Sequence, residues 1–193
     1  MFCHFIRNKA IFKRHKITVT SLGPSEKASV KRPTPILLLR MTNDAPSNEW
    51  SMIWKTRFSH LGYHSVDVAM DIPKEEKEPL RILKTCYDEL HQATSELSFF
   101  PPLLISRGES AWKIAQKYVS NKPVSGLVLL PGKEDEMRLP SSQFEPQFPI
   151  LFVGMNQATR PPEFLDGWID QVKLDDVNNE FQEVMNWMDD IGM

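Results

Sequence analysis

Cysteine is nearly absent from this 193-residue chain: Cys3 and Cys86 are the only two. That excludes a disulfide framework. With no CxxC pair, and no His pair near either thiol, it also excludes a standard zinc site, and it fits a reducing compartment. No apolar run approaches the ~20 residues that span a bilayer. The longest, such as "PILLL" and "FFPPLLI", are strand-sized. Acidic residues are missing from the start, with none before Glu26, and histidine is missing from the second half. The five histidines are His4, His15, His60, His64 and His91. Glycine is scarce too, at eight residues, and no Gly-rich phosphate loop succeeds the first expected strand ("LLLRMTNDAPSNEW"). That argues against a Rossmann-like or flavodoxin-like nucleotide binder.

What is present is ordinary for a globular protein, with 41% hydrophobic and 25% charged residues in a length that suits one domain plus a tail. The net charge of −2 hides an asymmetry. Residues 1–40 hold nine Lys/Arg against Glu26 alone, leaving 14 basic and 24 acidic residues in the remainder. The basic start, interleaved with Phe2, Phe5, Ile6, Ile11 and Phe12, has the character of a mitochondrial transit peptide, and its apolar stretch is too short and too broken by charge for a secretory signal. The acidic remainder argues against a nucleic-acid-binding domain, since phosphate contacts demand a positive face. The expected organisation is a basic segment and linker over residues 1–32, ending in the polar connector "SLGPSEKASVKRPTP", and a single domain over 33–193.

Within that domain, short Val/Ile/Leu-rich runs alternate with helical periodicity. The strand candidates are 35–40, 64–70, 102–106, 125–130, 149–154 and 169–174. The helical stripes are Trp50, Ile53, Trp54, Phe58 and Leu61; Leu80, Leu83, Tyr87 and Leu90; Ala111, Ala115, Tyr118 and Val119; and Val177, Phe181, Val184, Met185 and Met188. Continuous apolar strands joined by helices predict an α/β fold: a mostly parallel, doubly wound sheet of about six strands with helices on both faces. The polar, Pro-broken stretch 131–148 is expected to be a loop. Trp112 and Trp187 fall off the stripes and read either as locally packed residues or as candidates for a binding surface. Cys86 reads as a small packing residue, and "KEEKE" (74–78) as a solvated helix start. His60 and His64 are separated by Gly62 at a helix end, so they do not share a face as a ligand pair would.

Six pieces, in order, resemble the α/β-hydrolase family. "RPTPILLLRMTND" resembles the strand that delivers the oxyanion loop, and "FSHLGYHSVDVAMDIP" the family's Gly-Tyr segment with its adjoining strand. "LLISRGESAWKIAQKY" is similar to the nucleophile strand, elbow and helix, and "NKPVSGLVLLPG" to the family's next strand and its approach. "FPILFVGMNQATRPPEF" resembles the late strand that precedes the catalytic acid, and "FQEVMNWMDDIG" the closing helix. The resemblance implies a reduced core, without the two leading strands of the usual fold and without a cap domain.

The family's G-x-S-x-G elbow holds a nucleophile on a tight strand-to-helix turn. Its pattern, laid on "SRGES", puts Ser106 at the first glycine, then Arg107, Gly108 at the nucleophile, Glu109, and Ser110 at the second glycine. Gly108 has no atom with which to attack a carbonyl, and Arg107 beside it reads as a surface charge or part of an anion pocket. Gln157 stands where the acid is expected, with Glu134, Asp135 and Asp166 as nearby substitutes in sequence. No histidine comes after the elbow, although the family's base does, and "VKLDDVNNEF" occupies its place. A serine hydroxyl without a base is a poor nucleophile at neutral pH. The expectation is therefore a triad-less relative with no catalytic residue, cofactor or metal, acting through an unidentified protein partner, and no small-molecule ligand is assigned. The competing expectation is an active esterase or thioesterase using Ser106 or Ser110.

Residues 1–30 fused to a fluorescent reporter are expected to carry it into mitochondria, since they combine positive charge and apolar residues with a single acid. Diffuse cytosolic fluorescence of the fusion would contradict the transit-peptide reading.

Overall fold

The computed structural model describes residues 17–42, 45–72, 76–95, 100–132, 139–154, 160–174, 176 and 179–193, with the backbone alone over 45–47. Its regular elements are β1 (Ile17–Leu22), β2 (Ile36–Met41), α1 (Ala45–His60), β3 (Ser65–Met70), α2 (Pro79–Thr94), β4 (Leu103–Arg107), α3 (Glu109–Val119), β5 (Gly126–Leu130), β6 (Ile150–Gly154), β7 (Asp170–Lys173) and α4 (Glu180–Asp190). The strands form one seven-stranded sheet in the order β1-β3-β2-β4-β5-β6-β7. From β3 to β7 every neighbouring pair is parallel, and β1 runs antiparallel to β3 at one edge. Residues 139–148 carry no regular element, as expected for that stretch.

Alternation along the strands divides the core in two. Leu37, Leu39, Val66, Val68, Leu104, Leu127, Leu129 and Phe152 pack with buried residues of α2 and α3. Ile36, Leu38, Leu103, Ile105, Val128, Leu130, Leu151 and Val153 pack with Trp50, Trp54 and Phe58 of α1 and Phe181, Val184 and Met188 of α4. The helices therefore lie on both faces, as the doubly wound reading requires. A central strand such as β2, buried at every position, needs a continuous apolar run because both of its faces are covered.

Seven strands among the described residues fit the expected mostly parallel, doubly wound sheet of about six, and β1 lies within residues 1–32, ahead of the stretch expected to hold the domain. β1 shows the alternation of a half-buried strand: Ile17 and Val19 pack against the α2/α3 core, while Thr20 turns to the other face and meets Lys55 of α1. The connector after it is packed as well. Ser59 Oγ donates to the Gly23 carbonyl at 2.7 Å, Arg32 N–H donates to the Gly62 carbonyl at 2.9 Å, and the Arg32 guanidinium lies 5.0 Å from the centre of the Tyr63 ring. Gly62, at φ 89°, ends α1 so closely beneath this connector that a Cβ there would lie 1.8 Å from the Val30 carbonyl oxygen.

The stripes are also narrower than their spacing implied. Ile53, Leu61 and Leu80 are exposed, because α1 turns Ser51 inward beside Trp50 and Trp54, Leu61 lies past the helix end, and α2 centres its buried face on Ile82, Leu83, Cys86 and Leu90. Ser51 is drawn inward by a polar network on the α1 side of the sheet. The Arg40 guanidinium donates to Asp67 Oδ1 and Oδ2 at 3.0 and 3.2 Å, to Ser51 Oγ at 3.1 Å and to Asn48 Oδ1. Ser51 Oγ donates to Asp67 Oδ2 at 3.2 Å, and Lys55 Nζ, 2.6 Å from Thr20 Oγ1, completes the cluster 3.9 Å from the same carboxylate. Burial pulls the Lys55 amine below the ordinary lysine value; Asp67 opposes this and Arg40 adds to it. The network ties β1, β2, β3 and α1 together with every charge facing an opposite one.

Candidate functional site

In parallel sheets wound on both sides, the helices run back against the strands, so the carboxyl ends of the strands gather the turns that carry function. The turn from β4 into α3 stands at that end. Arg107 is the last residue of β4 and Glu109 the first of α3, which leaves Gly108 alone to change the direction of the chain. It does so at φ 86°, ψ 157°, a region that is essentially confined to glycine.

Gly108 is buried. Its N–H donates to the Leu130 carbonyl at 3.2 Å, and its own carbonyl accepts the Trp112 N–H at 3.0 Å, starting the helix. Gly132, two residues beyond β5, comes so close that a Cβ on it would lie 2.5 Å from Gly108 Cα and 2.8 Å from Gly108 N. A second strand-end loop thus meets the main chain of Gly108 through a residue with no side chain.

Each residue of the degenerate elbow can now be placed. Ser106 is fully buried within β4, and its hydroxyl donates to the Val128 carbonyl at 3.3 Å. Ser110 is buried in the first turn of α3, while Glu109 is exposed. Arg107 is neither a loose surface charge nor an anion pocket, which corrects the sequence expectation. Its guanidinium donates to Glu180 Oε2 at 2.8 Å and lies 5.3 Å from the centre of the Trp50 ring. Glu180 opens α4, inside the segment where the family's histidine belongs. It is 2% exposed, and its Oε1 finds no hydrogen-bond partner among the described residues. Burial raises the Glu180 carboxyl above the ordinary carboxylate range, and Arg107 offsets only part of that rise.

The histidines are far from this turn in the topology. His60 ends α1, His91 lies in the last turn of α2, and His64 immediately precedes β3, so all three stand at the amino ends of the parallel strands, opposite Gly108. Burial lowers the His64 imidazole below its ordinary value. Asp166 is exposed after a short 3-10 turn (Glu163–Leu165); Glu134, Asp135, Gln157, His4 and His15 lie outside the described residues. No group of three or more His, Cys, Asp or Glu among the described residues is arranged to hold a metal ion.

For the two off-stripe tryptophans the packing alternative holds. Trp112 and Trp187 are buried rather than displayed. Trp112 Nε1 donates to the Leu130 carbonyl at 2.7 Å, and Trp187 Nε1 donates to Asp170 Oδ2 at 2.8 Å. Each indole N–H has a partner, which is what lets a tryptophan enter a core. Trp168, which carried no signal at all, is the exposed one.

No family model matches the chain, and no curated protein matches it in sequence. Solved structures do. An α/β hydrolase enzyme from the metagenome of sediments of the Mar Chica lagoon, Morocco, superimposes with a TM-score of 0.58 at 13% identity, over 96% of this chain and 100% of that one. A "predicted CIB-like hydrolase" of Thermoplasma acidophilum gives 0.53 at 11% identity, over 90% and 91%. A histone deacetylase of Saccharomyces cerevisiae gives 0.50 at 13% identity, over 91% and 82%. At these identities the likeness concerns the fold: the chain is α/β-hydrolase-like in architecture, over nearly its whole length and with no cap domain evident.

Gly108→Ala is expected to destabilise the protein by about 1 kcal/mol or more, because alanine is strained at this positive φ. Urea denaturation reads the change, and a midpoint equal to that of the wild type would contradict the elbow geometry.

Proposed function

We propose that this chain is a non-catalytic member of the α/β-hydrolase fold that acts through protein contacts, in an assembly or gene-expression complex of the mitochondrial matrix. One observation carries the reading: the apex of the elbow is a buried glycine, packed on the backbone of Gly132, with an Arg107–Glu180 ion pair beside it. Acyl transfer needs a nucleophile, a base within hydrogen-bonding reach of it, and space for a tetrahedral carbon. The first is replaced by a hydrogen atom. The described histidines stand at the other end of the sheet. The basic, nearly acid-free start of the chain supports the mitochondrial part of the reading.

The competing reading is an active esterase or thioesterase, and two structural neighbours titled as hydrolases favour it. It calls for Ser106 or Ser110 as nucleophile. Ser106 serves it poorly, being enclosed in the sheet with its hydroxyl turned to a main-chain carbonyl. Ser110, 1% exposed, would need the first turn of α3 to open.

The purified full chain is expected neither to hydrolyse p-nitrophenyl acetate or acetyl thioesters above the buffer rate nor to be labelled by a fluorophosphonate, which requires an activated serine. Stoichiometric labelling that disappears in Ser106→Ala or Ser110→Ala would overturn the non-catalytic reading and establish the competing one.

A further inference from the structure

The sheet is open on the side of β7. Among the described residues that strand pairs with β6 alone, and it stands last in the sheet order and is largely exposed along its length. Leu174 N–H donates to the Gly154 carbonyl at 2.8 Å, and Gly154 is paired with Lys173. In a parallel ladder, the N–H and C=O of alternate residues point to opposite sides. The backbone groups of Val172 and Leu174 therefore face β6, and those of Gln171 and Lys173 face away from it, toward a side with no strand among the described residues. Unpaired edges of this kind accept a further strand from another chain.

Beside this edge lies a groove of about 320 Å³ between the last two strands and α4. Leu151, Val172 and Trp187 supply its apolar lining, and Asp170, Glu183 and Asp190 contribute carboxylates, with no Lys, Arg or His among the lining residues. Asp170 and Val172 are two apart on β7, so they share the face that turns toward α4, which is the spacing at which an added strand also presents its side chains. Trp168, 60% exposed, stands two residues before Asp170 at the start of the same edge. Five of the 23 Lys/Arg and none of the 25 Asp/Glu fall in residues 1–16, so the rest of the chain carries a net −7. The groove concentrates that sign over an apolar lining, next to main-chain donors and acceptors that pair with no strand among the described residues.

We propose that β7 and this groove dock an extended basic segment of a partner protein, in which lysine or arginine alternates with aliphatic residues. The segment adds to the sheet through the outward N–H and C=O of Gln171 and Lys173. Its cationic side chains reach Asp170, Glu183 and Asp190, and its aliphatic stems cover Val172 and Trp187. Main-chain bonding supplies affinity, and the carboxylates select the partner's sign. This deepens the protein-contact reading above and rests on it, but its test is independent of the elbow: binding at β7 and serine labelling at β4 are read in separate experiments.

Fluorescence anisotropy of the full-length protein with a fluorescein-labelled, N-acetylated nine-residue peptide of alternating Lys and Val provides the test. The peptide is expected to bind, to weaken as salt is raised, and to lose binding when Glu replaces its Lys. Glu183→Lys/Asp190→Lys is expected to weaken it at least tenfold with an unchanged melting temperature. Gln171→Pro, which removes an outward N–H without touching the β6 ladder, is expected to weaken it similarly, and it serves alone if the double variant does not fold. No binding at 1 mM, equal binding of the Glu peptide, or unchanged affinity in a folded variant would overturn the proposal. A wild-type dimer in sedimentation that dissociates in these variants would assign the edge to a second copy and also overturn it. So would a tenfold gain in peptide affinity when Arg7, Lys9, Lys13, Arg14 and Lys16 are all changed to Gln, since the groove would then belong to the chain's own basic segment.

Discussion

The Leu130 carbonyl oxygen accepts two hydrogen bonds, one from Gly108 N–H at 3.2 Å and one from the Trp112 indole at 2.7 Å. That single acceptor joins the end of β5 to both the apex of the elbow and the first turns of α3. A side chain at 108 would stand on a turn whose φ excludes most residues, and the loop after β5 comes so close that a Cβ on Gly132 would lie 2.5 Å from Gly108 Cα. The apex of this joint between strand and helix is a residue without a side chain.

Charge does structural duty on one face of the sheet. Arg40–Asp67 and Arg107–Glu180 both lie on the side covered by α1 and α4, one near the β1 edge and one at the centre. Buried pairs of this sort add little net stability over an apolar packing of the same shape, but losing one partner costs about 3–5 kcal/mol because the other charge stays buried. They therefore fix which helix sits where more than they strengthen the fold. Arg107–Glu180 has a further consequence, because it occupies the region between elbow and last helix in which the family's base belongs. Burial is the largest cause of the raised Glu180 carboxyl, and Arg107 offsets part of it.

Much of the fold was legible because the parallel strands are buried on both faces and so spell themselves as Leu/Ile/Val runs. β1 was not, since its alternation of Ile17 and Val19 with Thr18 and Thr20 is a weak signal inside a basic segment whose composition points elsewhere. Ile53 and Leu80 were misassigned because apolar spacing marks a helix but not the width of its buried arc, which in α1 admits Ser51 for the sake of Asp67. Within the site, Gly108 was readable from the elbow pattern, since only the turn decides it. Arg107 with Glu180 was not: the two are 73 residues apart, and either one alone looks like a solvated charge. The indole partners of Trp112 and Trp187 are equally non-local, so the stripes alone did not decide their burial.

A non-catalytic role, as proposed, rests on the glycine at the apex of the elbow. Gly108→Ser tests it most directly, by placing a serine at the family's nucleophile position in the otherwise native chain. The variant is expected to melt below the wild type, because serine is strained at the positive φ of 108, and to remain unlabelled by fluorophosphonate, because the described histidines stand at the other end of the sheet. A Gly108→Ser protein as stable as the wild type and labelled stoichiometrically at residue 108 would contradict it.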